Sequence, residues 1–199
     1  MAIRRFSTST IVNNLLRYAK FWDQTSTFSN APTNSYIPIA SYTVPTGGVT
    51  SIVFAGIPQT YSHLQIRMTT VTSAGGGGGT ATYMELNGDT TVTNYKSHAV
   101  EGYGVAALAY AYSLPLMPWS VGVAATTGPG ASIIDVLDYK DTNKYKTVRA
   151  LGGYDANGTG YVSLSSMLWM NTSAITSINF NRAGTTWAAN MNVSIYGVN

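Results

Sequence analysis

Apolar and polar residues alternate along most of the chain after residue 35. Within residues 63–71, for example, Leu64, Ile66 and Met68 alternate with polar side chains. A period of two places the two kinds of residue on opposite faces of a β-strand. The pattern predicts ten strands, at residues 37–44, 49–54, 63–71, 82–86, 91–100, 132–137, 146–152, 161–169, 175–180 and 191–196.

Turn residues separate the predicted strands. A Pro-Thr-Gly-Gly turn follows the first strand, and Asn87-Gly88 follows the fourth. Because Asn-Gly is a typical two-residue turn of a β-hairpin, we expect residues 82–86 and 91–100 to pair. Many short strands without a helix of useful length predict an all-β body. A β-sandwich of the jelly-roll type is the preferred architecture, and an up-and-down barrel is the alternative.

The first 35 residues follow a different pattern. Their apolar residues recur at a helical spacing and share one helix face: Ile11, Leu15, Tyr18 and Trp22. A lone helix of about a dozen residues is marginal in water, so it needs a surface to pack on. A polar linker at residues 25–35 follows it. We therefore expect an N-terminal anchoring arm with its linker at residues 1–35, and a β-sandwich domain at residues 36–199.

Residues 102–130 match neither pattern. They are rich in Ala, Tyr and Gly and contain Pro115, Pro118 and Pro129. Because proline interrupts strands, we expect a long excursion from the sandwich here. Its apolar part, residues 105–119, is expected to be partly exposed. An exposed apolar patch of this kind usually marks an interface.

Charge is scarce and unevenly placed. Asp, Glu, Lys and Arg make up 10% of the chain, well below the usual level of about 25%. The arm holds four basic residues and one acid, whereas residues 36–199 hold seven of each and are formally neutral. The net charge of +3 therefore belongs to the arm, and the body offers no basic face for specific nucleic-acid binding. No apolar run approaches the roughly 18 residues of a membrane-spanning helix, so we expect no membrane partner.

The inventory of catalytic side chains is thin. The chain has no Cys, which excludes thiol catalysis and thiolate metal sites. His63 and His98 are expected on the surface, and no nucleophile–base motif accompanies either of them. Asp135 and Asp138 are an odd number of residues apart, which places them on opposite faces of one strand. We expect no enzyme activity, no metal site and no cofactor.

Aromatic residues are the remaining functional candidates, because they stack on sugars as well as filling cores. The chain has 4 Trp and 14 Tyr. Trp169 lies in an apolar run and is expected in the core. Trp187 and the pair Tyr110 and Tyr112 lie among Gly, Pro and Thr residues, so we expect these three at exposed subunit contacts.

Several stretches of the chain resemble one protein family. They are Met1-Ala2-Ile3-Arg4-Arg5-Phe6-Ser7-Thr8-Ser9, Phe21-Trp22-Asp23-Gln24, residues 57–67, Asn87-Gly88-Asp89 and residues 139–154. Together they are similar to small virion proteins encoded by tailed phages of cyanobacteria. The resemblance spans nearly the whole chain, and it implies a virion component with a β-sandwich body.

Composition, charge and this resemblance together predict a non-enzymatic virion structural protein. Its arm would anchor it to the phage particle, as a head decoration or cement protein or as an accessory protein of the neck or tail. The alternative is a glycan- or receptor-binding module of a tail fibre, with a host glycan as ligand. We expect the chain in the virion, assembled in the bacterial cytoplasm, with capsid, portal, adaptor or tail proteins as partners.

Two sets of residues are the predicted contacts. The arm contacts are Arg4, Arg5, Phe6, Ile11, Leu15, Arg17, Tyr18 and Trp22. The body contacts are Tyr110, Tyr112, Leu114, Leu116, Trp119 and Trp187. Because a body with a net charge near zero is prone to associate, we expect a homo-oligomer, a trimer or a ring.

Overall fold

The structure, a computed structural model, describes residues 36–72, 82–117, 123–124, 129–155, 160–182 and 186–199. The eight arm contacts and Trp119 lie outside these ranges. The described residues form thirteen strands: β1 (Tyr36–Thr43), β2 (Ser51–Ala55), β3 (His63–Thr72), β4 (Thr82–Leu86), β5 (Tyr95–Tyr103), β6 (Ala106–Tyr112), β7 (Leu116–Met117), β8 (Val123–Ala124), β9 (Gly130–Leu137), β10 (Lys146–Asp155), β11 (Gly160–Trp169), β12 (Ser177–Arg182) and β13 (Asn192–Val198). A short 3-10 turn at Val92–Asn94 precedes β5.

The strands form two sheets. The large sheet has the order β1-β13-β3-β9-β10-β11-β5-β6, with β8 beside β3. The small sheet has the order β2-β12-β4-β7. Neighbouring strands run antiparallel except for the short parallel pairing of β3 with β8. The predicted all-β sandwich is confirmed, and one of its sheets is much larger than the other.

The core lies where the alternating strands of the two sheets face each other. Ile66 and Ile134 of the large sheet and Met84 and Phe180 of the small sheet belong to one cluster of fully buried residues. Burying each such side chain contributes roughly 1.5–3 kcal/mol relative to leaving it exposed. Trp169, at the end of β11, is part of this cluster, as the sequence predicts.

All ten predicted strands are present, with ends displaced by a few residues. The prediction was wrong for residues 102–117, where the chain forms the end of β5, β6 and β7 instead of an irregular excursion. A turn at Gly104-Val105 leads from β5 directly into β6, and the two strands pair over the whole length of β6. Alanine alternates with Leu108, Tyr110 and Tyr112 along β6. This pattern was missed because alanine is a weak hydrophobic signal.

The pairing expected across Asn87-Gly88 was also wrong. Both residues have the positive φ that the turn requires, 54° and 70°. However, β4 lies in the small sheet and β5 in the large sheet, so the turn does not close a hairpin. The Asn87 side-chain oxygen instead accepts hydrogen bonds from the backbone N–H groups of Thr176 and Ser177, at 2.8 and 3.1 Å. This tether holds the turn to the start of β12 while the chain crosses between the sheets.

Trp187 lies in the core, which corrects its assignment as an exposed contact. Its side chain is fully buried, and its indole N–H donates to the carbonyl of Phe180 at 3.3 Å. The Arg182 guanidinium lies 5.2 Å from the centre of its ring. A β-bridge with Val49 draws the segment around Trp187 onto the sandwich. Gly48 permits this approach, because a Cβ there would lie 2.5 Å from the Trp187 carbonyl oxygen.

Asp89, directly after the Asn-Gly turn, connects β4 of the small sheet to the large sheet. Its carboxylate accepts hydrogen bonds from the Trp169 indole N–H and the Asn94 amide, both at 2.8 Å, and from the Thr91 backbone N–H at 2.9 Å. The Tyr95 hydroxyl donates to the Asp89 carbonyl at 2.9 Å. Burial alone would raise the pKa of Asp89, but the hydrogen bonds to its carboxylate hold that pKa below its ordinary value.

We predict that Asp89→Ala lowers the free energy of unfolding by about 1–3 kcal/mol at neutral pH, because the buried Trp169 N–H loses its acceptor. The pKa of Asp89 is lower in the folded than in the unfolded state, so this stabilisation is lost as the pH falls through the folded pKa. Urea unfolding at neutral and acidic pH measures both effects. Thr90→Ala, at an exposed position in the same turn, is the control. An equal loss in both variants would contradict the role of Asp89.

Candidate interaction surface

The outer face of the large sheet, which points away from the small sheet, has an apolar centre. A row of aliphatic residues crosses five adjacent strands there, from β9 through β10, β11 and β5 to β6: Ile133, Leu151, Leu164, Val100 and Ala109. The first four of these side chains are 46–59% exposed. Because they point away from the core, they contribute little to its packing. We name this set the apolar row.

A second row of small and apolar residues runs parallel to the apolar row: Ala131, Gly153, Val162, Gly102 and Ala107. Val162 is exposed like the aliphatic residues of the first row. We name the two rows together the apolar face. Ala131 and Gly153 have little or no side chain, and the sheet has an open depression of about 680 Å³ beside them that extends to Tyr196.

A polar row borders the apolar face on its other side. The Arg149 guanidinium lies 2.9 Å from the Asp135 carboxylate, and the Gln65 amide donates to the same carboxylate at 3.0 Å. Ser166 and His98 continue the row across β11 and β5. Such an exposed ion pair contributes at most about 1 kcal/mol to stability. A polar rim around an apolar centre is the usual anatomy of a protein–protein interface.

An aromatic stack borders the surface on the side of β1. The Arg67 guanidinium lies 5.0 Å from the ring centre of Tyr36 and 4.9 Å from that of Tyr196. The Arg67 Nε–H donates to the Gln65 side-chain oxygen at 2.9 Å. This stack joins β1, β13 and β3. Sequence reasoning missed it because the three residues become neighbours only through the strand order of the sheet.

β6 is the edge strand of the large sheet at the end opposite β1. Two of the predicted body contacts, Tyr110 and Tyr112, lie half-buried on β6 with their rings stacked 5.9 Å apart. Leu114 is half-buried just after the strand. The backbone of Leu116 belongs to β7 of the small sheet. The structure therefore brings the two tyrosines together at one edge and places Leu116 in the other sheet.

The histidines and acids considered as catalytic candidates make structural contacts or lie on the surface. His63 Nδ1 accepts the backbone N–H of Asp138 at 2.9 Å. The Asp138 carboxylate pairs with the Lys144 ammonium group in the turn after β9. His98 is exposed. Within the part of the chain that the structure describes, no group of three His, Asp or Glu residues is placed to hold a metal ion, and no helix could span a membrane.

Glu101 is a buried acid that the sequence analysis missed. It is 1% exposed, on the inner face of β5, paired with Ser163 of β11 and Leu108 of β6. Burial raises its pKa to about 7. Its Oε1 atom has no hydrogen-bond partner among the described residues. The alternation of β5, which buries every second residue from Tyr95 onwards, is the signal that could have identified it.

This arrangement is suited to binding another protein. An apolar face with a polar rim can be buried against a partner, and an edge strand can pair with one. A search for related proteins found no family model and no curated protein that matches the chain. Its role is therefore inferred from its own sequence and surface.

We predict that Glu101→Gln stabilises the fold by about 1–3 kcal/mol at about pH 9 and by much less at about pH 5. The pKa of Glu101 in the folded protein (about 7) lies above the ordinary value of 4.5. As the pH rises, the unfolded chain therefore loses the Glu101 proton at a lower pH than the folded protein does. The wild-type protein therefore loses stability as the pH rises from 4.5 through 7. Gln has the shape of the protonated acid and does not ionise. Urea unfolding of both proteins at the two pH values tests this, and a gain that is independent of pH contradicts it.

Proposed function

We propose that the chain is a non-enzymatic structural protein of a virus particle, in which the sandwich packs against neighbouring proteins and the N-terminal arm anchors it. The observation that carries this proposal is the apolar face, where four adjacent strands hold half-exposed aliphatic side chains away from the core. The largest apolar patch on a soluble monomer is typically about 300–600 Å², and a patch of that size is often functional.

The size of the outer face supports a protein partner. Strands lie about 4.8 Å apart, and alternate residues of one strand lie about 6.8 Å apart, so the two rows over five strands cover roughly 330 Å². Eight strands and three rows, which include the polar row and the Arg67 stack, cover about 780 Å². This area is close to the roughly 800 Å² that one partner contributes to a standard interface.

The division of charge supports anchoring through the arm. The whole net charge of +3 lies in residues 1–35, and the neutral body has no excess charge to repel identical neighbours. The resemblance to virion proteins of tailed phages supports a place on the head, neck or tail. Major capsid, portal, adaptor or tail proteins are the partners that such a place offers.

A glycan-binding module of a tail fibre is the second candidate. The depression on the outer face supports it, because Tyr196 lines this depression together with Asn192 and Ser194. An apolar concavity with a few polar groups is typical of small-molecule sites. Trp169 and Trp187 do not support it, since both indoles are buried in the core.

We predict that Leu151→Lys combined with Leu164→Lys prevents incorporation into particles while the sandwich stays folded. Both side chains are about half exposed, so lysine leaves the core intact, but burying two charges against a partner is costly. The measurement is the number of copies per particle, counted by electron microscopy of phage assembled with the variant. The control is Ser51→Lys with Ala55→Lys, which adds the same charge at exposed positions of the small sheet.

An unchanged copy number in the face variant would contradict the proposed role of the apolar face.

Deletion of residues 1–30 tests the arm separately. We expect a body that keeps its β circular dichroism and no longer joins particles, whereas normal occupancy would rule out anchoring by the arm. Normal incorporation of the face variant, together with loss of glycan-array binding in Tyr196→Ala, would support the glycan-binding module instead.

A further inference from the structure

The large sheet ends in two edge strands of opposite character. β1 contains Pro38, which has no N–H to donate, and a bulge between Pro38 and Ala40 interrupts its pairing with β13. Both features hinder the addition of another strand to that edge. β6, at the other edge, contains no proline, and its pairing with β5 has no interruption.

β6 has the properties of a strand that accepts a partner. It is seven residues long and carries no charged residue, and its first four residues are exposed. In an antiparallel ladder every second residue directs its N–H and C=O groups away from the neighbour, so β6 presents a set of such groups at its free side. No other described strand pairs with that side. The small-sheet edges β2 and β7 have five and two residues, so they offer shorter templates.

We propose that β6 pairs antiparallel with β6 of a second copy of this chain, about a two-fold axis beside Ala109. The large sheets of the two copies then form one continuous sheet. The pairing stands on the geometry of the edge and does not depend on the proposed role in a virus particle.

The sequence of β6 is complementary to itself in this register. Under two-fold symmetry, if one residue opposes a second residue of the partner, that second residue opposes the first residue of the partner. On the outer face Ala107 opposes the partner's Ala111, so small side chains meet small ones. On the other face Leu108 opposes the partner's Tyr110, an aliphatic–aromatic pair of the kind that stabilises sheets. Because β6 has no charge, no like charges meet across the axis.

The pairing also joins the apolar rows of the two copies. Ala109 ends the row within one copy, where it pairs with Val100 of β5. The axis places Ala109 beside the partner's Ala109, so the two rows meet end to end. The dimer would therefore present one apolar face about twice as wide as that of a single copy.

A two-fold pair fits these edges better than the trimer or ring expected from composition. A ring built by strand pairing requires a head-to-tail contact between β6 and a different edge strand. At the other edge of the large sheet that strand is β1, where Pro38 and the bulge oppose pairing. The contact between two copies of β6 uses only the free side of β6 and does not involve β1.

Disulfide cross-linking tests the register, because the chain contains no cysteine. Opposed residues of an antiparallel pair have Cα atoms about 4.5–5.5 Å apart, within the range of roughly 4.4–6.8 Å that a disulfide spans. We expect Ala109→Cys to form a covalent dimer on mild oxidation. We expect Ala107→Cys and Ala111→Cys to cross-link when mixed and much less when alone. Thr147→Cys, exposed on β10, is the control and should stay monomeric under denaturing electrophoresis.

Charge substitution at the axis is an independent test. Ala109→Lys and Ala109→Glu each place like charges opposite each other, so each should weaken the dimer at least about tenfold in sedimentation equilibrium. An equimolar mixture of the two variants should restore the dimer, because lysine then opposes glutamate. Thr147→Lys should leave dimerisation unchanged. A wild-type protein that remains monomeric up to about 1 mM, or efficient cross-linking of Ala107→Cys by itself, would overturn the proposal.

Discussion

The unequal size of the two sheets is the constraint on which the rest of this structure depends. A strand has two faces, and the four strands of the small sheet lie on only one face of the large sheet. The inner face is therefore the core, and the outer face leaves Ile133, Leu151 and Leu164 half exposed. Apolar residues on both faces of β9, β10 and β11 are typical of strands that are covered on both sides. This is the physical reason for our proposal that a partner covers the outer face.

Buried polar groups differ between the two ends of the sandwich. At one end the buried ammonium group of Lys146 donates to three backbone carbonyls, and the Asp89 carboxylate accepts three hydrogen bonds. At the other end Glu101 and Arg182 are buried with side-chain atoms that have no hydrogen-bond partner among the described residues. Burial lowers the pKa of Arg182 to about 10 and raises that of Glu101 to about 7. The buried polar groups at the first end are satisfied by hydrogen bonds, whereas Glu101 and Arg182 at the second end keep part of the free-energy cost of burying a polar group.

Local patterns predicted some features well and others poorly, for a physical reason. The period-two alternation identified β3 and β11 because burial on one face is imposed along the strand itself. The Asn87-Gly88 turn has the predicted dihedral angles, since they depend on those two residues. The predicted pairing across this turn was wrong, because β4 joins the small sheet by pairing with β12, which lies far away in sequence. Trp187 was misplaced for the same reason: its burial depends on its bridge to Val49.

The sequence by itself determined that the body is all-β and that residues 36–199 carry no net charge. These properties follow from composition and from a periodicity read within a few residues. Tertiary structure alone decided which strands are neighbours, and with them the apolar row, the Arg67 stack and the open edge at β6. The apolar row and the Arg67 stack join residues from strands that are distant in the chain, such as Ile133 and Val100. β6 is an edge because no other described strand pairs with its free side. Their alignment is set by sheet order and register, which depend on long-range packing and not on the local pattern of any one strand.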